Sequence, residues 1–148
     1  MVRQFAIVRV KPQVTRWEFP VAHDELTESP LAGPLSRRAM ATVEQVMDSL
    51  PTLRRVDPAQ TRWSLARTSW DRVDVWLTSD GGLYVSSTGP LLTVAAIVNE
   101  LAHAVGGLVA EDCTHGVLHS PETLLQQLER EADVQLPWPT PPGWRAAA

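Results

Sequence analysis

The 148-residue sequence holds one cysteine, Cys113, one tyrosine, two phenylalanines and a single lysine. A lone thiol excludes a disulfide framework and any multi-thiolate zinc or iron–sulfur site. No apolar run approaches the ~18–20 residues of a membrane span, so no membrane association is expected. The N-terminal stretch MVRQFAIVRVKP carries arginine inside its apolar run and has no small-residue cleavage site, so no signal peptide is expected and the compartment reads as a reducing cytoplasm. A basic excess is missing too. Thirteen Lys and Arg stand against 17 Asp and Glu, for a net charge of −4 and a pI near 5.5, which argues against a nucleic-acid partner. Neither G-x-G-x-x-G nor G-x-x-x-x-G-K-[ST] occurs, and Gly81-Gly82 reads as part of a hairpin and not as a strand-to-helix turn, so no phosphate cradle is expected.

What is present is a globular composition, 44% hydrophobic and 20% charged, in a chain long enough for one core without covalent staples. Tryptophan is over-used: Trp17, Trp63, Trp70, Trp76, Trp138 and Trp144. Tryptophan concentrates at protein–protein hot spots, and the plainer role for any one in a strand is core filler. The twelve arginines to one lysine read as codon bias and not as a binding device.

Phe5 to Val10 reads as a strand. Residues 12–35, punctuated by Pro12, Pro20, Pro30, Gly33 and Pro34, read as a long loop of the kind that often binds. Ser36 to Leu50 reads as a helix, capped by Ser36 and stopped by Pro51, with Met40, Val43, Val46, Met47 and Leu50 on one face. Residues 52–61 read as loop, and Trp63 to Ala66 as a short strand. Val73, Val75 and Leu77 alternate with Arg72, Asp74 and Trp76, the period of a half-buried strand, and Ser79-Asp80-Gly81-Gly82 turns it into a return strand over 83–87.

A second helix begins near Pro90, with Leu91, Val94, Ala95, Val98, Leu101, Ala102 and Val105 on one face and Gly106-Gly107 at its end. Burying that face is worth at most ~10–15 kcal/mol. Ordering its backbone costs on the order of 15–30 kcal/mol, so the helix must lie on a sheet. Residues 108–110 and 117–119 read as short strands around the turn 111–116. Ser120-Pro121-Glu122 starts a third helix, and PWPTPPGW in the last residues is a Pro-rich tail. The order is β-α-β-β-α-β with an added helix. It predicts an α+β, ferredoxin-like (split βαβ) antiparallel sheet with helices on one face, spanning residues 1–136, followed by a tail over 137–148.

Candidate chemistry is sparse. Cys113, His115 and His119 are close in sequence, and His103 on the second helix is a possible neighbour, which keeps open a small metal- or thiol-dependent enzyme. Their spacing matches no standard metal site, and Glu111 and Asp112 oppose formation of a thiolate. No metal, no cofactor and no catalytic residue is therefore assigned. Residues 18–28 carry Glu18, Asp24, Glu25 and Glu28 without a basic residue, a surface suited to a basic partner. A ferredoxin-like regulatory module that assembles through a sheet edge is a third reading.

The stretch TVAAIVNELAHAVGGLVAEDCTHGVLHSPETL, with Gly107, Leu108, Val109, Asp112, Gly116 and Pro121, resembles the C-terminal half of small bacterial immunity proteins that lie beside polymorphic toxins. The resemblance covers roughly residues 70–130, and Glu111 stands where those proteins carry a tyrosine-like residue. It implies a compact α+β module that binds and inhibits a cognate toxin by occlusion in the producing cell's cytoplasm. Immunity surfaces differ with each toxin, so the resemblance carries over no binding residue. The charge pattern makes Asp24, Glu25 and Glu28 the expected partner contacts, with Glu111 and Asp112 as a second patch.

Overall fold

A computed structural model describes residues 2–11, 19–22, 31–66 and 71–135. Among the described residues, eight strands form one sheet and three helices accompany it, in the order β1 (Arg3–Arg9), β2 (Val21–Ala22), α1 (Arg37–Ser49), β3 (Arg54–Arg55), β4 (Arg62–Ala66), β5 (Arg72–Leu77), β6 (Leu83–Ser87), α2 (Leu91–Ala104), β7 (Leu108–Asp112), β8 (Val117–His119) and α3 (Pro121–Gln135). The spatial order is β2-β8-β7-β1-β6-β5-β4-β3, antiparallel at every pairing.

The chain is thus α+β, as expected, but its sheet is wider than the ferredoxin-like one predicted. Two short segments read as loop, Val21–Ala22 and Arg54–Arg55, pair at the two edges. Neither carries enough alternation to signal a strand; each is fixed by the neighbour it pairs with. Glu111 and Asp112, read as turn, extend β7 opposite Ala6 and Phe5.

The cap signals act as read. Ser36 Oγ accepts from the Ala39 N–H at 3.2 Å, and Ser120 Oγ from the Thr123 N–H at 3.2 Å. Pro90 stands one place earlier than expected, as the N-cap of α2 and not as its first helical residue. Gly107, at φ +78°, turns the chain from α2 into β7.

Register decides what is buried. Phe5, Val85, Val75 and Trp63 face one another across β1, β6, β5 and β4, and each is 0% exposed. All three helices close over this face: α2 packs on β6 and β7, α3 on β7 and β8, and α1 beside α2. Val43, Met47, Val94, Val98, Leu101, Leu124 and Leu128 complete the core from the helix side. The opposite face divides. Near β7 and β8 it is covered, with Val109 and Leu118 buried outside the main core. Across β1, β6, β5 and β4, no described helix lies on it.

Candidate functional site

On that helix-free face, strand pairing sets Ala6, Tyr84, Trp76 and Arg62 in one row across four strands. Gln4, Ser86, Asp74 and Ser64 form the next row. Tyr84 is 38% exposed and Trp76 half-buried. The Arg62 guanidinium lies 4.7 Å from the Trp76 ring centroid, a cation–π contact. Asp74 is buried beneath two arginines: Arg72 Nε donates to its Oδ2 at 2.9 Å, and Arg62 Nη2 to its Oδ1 at 3.4 Å. The carboxylate therefore serves as an internal counter-charge that holds both guanidinium groups in the plane of the face. Ala6, Ser64, Ala66 and Ser86 share this face with the aromatic pair.

A cleft of about 420 Å³ adjoins this face at Tyr84. It runs between β1, the turn after β5 and the segment 31–35, and its walls include Ala6, Val8, Leu31, Pro34 and Tyr84.

The expected contacts fall differently. Asp24, Glu25 and Glu28 lie outside the described residues, as do Trp17, Trp70, Trp138 and Trp144. Glu111 is half-buried on the helix-free side, opposite Ala6 on one strand and Leu118 on the other. Asp112 corrects the sequence reading. It is 2% exposed and points to the helix side, so it is a structural acid and not a surface contact. Arg3 Nη2 donates to its Oδ2 at 2.7 Å, the Thr114 N–H to Oδ1 at 3.0 Å, and His115 Nδ1 lies 2.8 Å from Oδ2. Burial works against the charged form of this carboxyl, yet the His115 and Thr114 hydrogen bonds and the Arg3 charge hold it below the ordinary range.

The thiol and imidazoles do not assemble. His103 is exposed at the end of α2, and His115 is exposed with Nδ1 engaged by Asp112. His119 is buried against α3, its Nδ1 3.2 Å from Thr123 Oγ1, and burial pushes its pKa down. Desolvation and the charges of Glu111 and Asp112 push the Cys113 thiol up, away from a nucleophilic thiolate. Among the described residues, no three His, Cys, Asp or Glu side chains are placed to hold a metal. Likewise, no described helix is long and apolar enough to cross a membrane.

Comparison with family models, with curated proteins and with solved structures finds no match. The aromatic–arginine row was missed as a site in the sequence, although its signal was there: Trp76 falls on the polar parity of β5, with Arg72 and Asp74.

Proposed function

We propose that this protein is an immunity-type inhibitor that grips a toxin or effector protein on its helix-free sheet face and acts by occlusion, without catalysis, in the producing cell's cytoplasm. The observation that carries this reading is the contiguous row Tyr84, Trp76 and Arg62 on a sheet face over which no described helix lies. Tyr, Trp and Arg are the residue types that dominate protein–protein binding energy, and a rigid sheet presents them with little ordering cost. The dispersal of Cys113, His103, His115 and His119 supports a binding role over an enzymatic one. We also read β7-β1-β6-β5, antiparallel throughout and linked by the α1 and α2 crossovers, as a split βαβ core extended at both edges.

The test is neutralisation. Co-expression with the product of the neighbouring gene is expected to rescue growth with the native chain and to fail with the Trp76→Ala/Tyr84→Ala double variant at equal soluble level. A non-toxic neighbour, or a double variant that protects fully, sinks the reading.

A further inference from the structure

The cleft beside Tyr84 is built before any ligand arrives. Its outer wall, the segment 31–35, is pinned at both ends. The Ala32 N–H donates to the Arg9 carbonyl at 2.8 Å, and the Leu35 N–H to the Gly81 carbonyl at 3.0 Å. Gly81 makes the second tie possible, because a Cβ there would lie 2.6 Å from the Leu35 oxygen. Ala6, Val8, Leu31 and Pro34 give the cleft an apolar body, and Tyr84 contributes its one aromatic ring. At the Gly81 end stands the exposed carboxylate of Asp80, which accepts from the Thr78 hydroxyl; that hydrogen bond, with backbone N–H groups of the turn, keeps its pKa below the ordinary value. The Arg9 backbone, tied to Ala32, closes the Leu31 end. A fixed apolar trough with an acid at one end orients a cation that enters it.

We propose that this cleft is an anchor site for a cationic side chain of the partner, an arginine or lysine whose aliphatic stem lies along the trough, with its charged head over Tyr84 and against Asp80. A carboxylate in the same place meets Asp80 repulsion. A purely apolar group gains the walls and forgoes both the ring face and the carboxylate. The site deepens the preceding proposal and rests on it, since Tyr84 belongs to both the cleft and the binding row.

The test is an amide NMR titration of the full chain with n-butylguanidinium, with n-butanol and butyrate as controls. Saturable shifts at Ala6, Val8, Leu31 and Gly82 are expected for the cation, with the controls at least about fivefold weaker. Asp80→Asn and Tyr84→Leu, which retain the wild-type spectrum elsewhere, are each expected to weaken the cation about threefold or more. No saturable shift, an equal response to n-butanol, or indifference to Asp80→Asn overturns the assignment. If a variant misfolds, the selectivity of the wild-type chain alone decides. The two failures are distinguishable: a silent cleft with neutralisation lost in Trp76→Ala/Tyr84→Ala removes only the anchor, whereas neutralisation intact in that variant removes the face and, with it, the partner anchor that rests on it.

Discussion

Arg3 Nη2 lies 2.7 Å from Asp112 Oδ2, with the two side chains only 5% and 3% exposed. The same arginine donates through Nη1 to Glu131 on α3. One residue of the first strand therefore ties the end of β7 to the last helix. A buried pair of this kind is stable only while complete, because removing one partner leaves the other charged and desolvated. Asp112→Ala is expected to cost about 3–5 kcal/mol in urea denaturation, and Arg3→Met/Asp112→Leu/Glu131→Gln, which leaves no member of the triad charged and alone, to recover most of that loss. A single-variant cost below about 1 kcal/mol contradicts this account of the pair.

Buried His119 and Asp112 each give stability a predictable pH dependence. His119 has a folded pKa below its ordinary 6.5, so the unfolded chain takes up the proton first as pH falls. Its contribution is complete above about pH 6.5 and declines below it, down to the folded pKa. Asp112 has a folded pKa below 3.8, so its contribution is present above that value and is lost as pH falls through the folded pKa. Denaturation midpoints between pH 8 and 2 are expected to show a first decline below about 6.5, absent in His119→Gln, and a second at strongly acid pH that His119→Gln leaves in place.

The clamp between the hairpin turn and segment 31–35 is testable with two glycines. Gly33 and Gly81 have nearly the same left-handed backbone, at φ +97° and +91°. A Cβ on Gly33 meets nothing within 4 Å, whereas one on Gly81 meets the Leu35 carbonyl at 2.6 Å. Gly33→Ala is expected to cost about 1 kcal/mol for backbone strain alone. Gly81→Ala is expected to cost at least about 1 kcal/mol more and to broaden or shift the Leu31 to Leu35 amides. Equal losses for the two variants are incompatible with the clamp.

Local grammar made the main elements legible. Serine caps, Pro51 and the period of three and four marked α1, α2 and α3, and the Asp80-Gly81-Gly82 turn marked the β5–β6 hairpin. What stayed hidden were features set by partners far away in sequence. Arg54-Arg55 and Val21-Ala22 are strands only because β4 and β8 present edges to them. Asp112 looked like a surface acid because Arg3, its counter-ion, is 109 residues away. The candidate face was half visible. The period in β5 put Trp76 with the polar residues, but placing Tyr84 and Arg62 beside it required the register of three strands. The acidic run from Glu18 to Glu28 lies mostly outside the described residues, and its part in binding remains a proposal of the charge pattern.

Trp63 and Trp76 stand on neighbouring strands with opposite orientation, and the two readings of the tryptophan excess separate at this pair. Trp63 is fully buried against the helices, and its indole N–H donates to Asp48 Oδ1 at 2.8 Å. Trp63→Ala removes core volume and the contacts to Asp48 and the Arg55 guanidinium, and leaves the Trp76 face untouched, so a stability loss of about 3–5 kcal/mol is expected, with partner affinity per folded molecule unchanged. Trp76 is half-buried on the open face beneath Arg62. Its truncation is expected to cost about 1 kcal/mol of stability through the lost cation–π contact. If the face is the docking surface, the same change weakens partner binding by about thirtyfold or more, the scale of a hot spot. Paired denaturation and calorimetric binding curves on the two variants check both halves. Comparable binding losses in Trp63→Ala and Trp76→Ala would mean that binding tracks fold integrity and not this face.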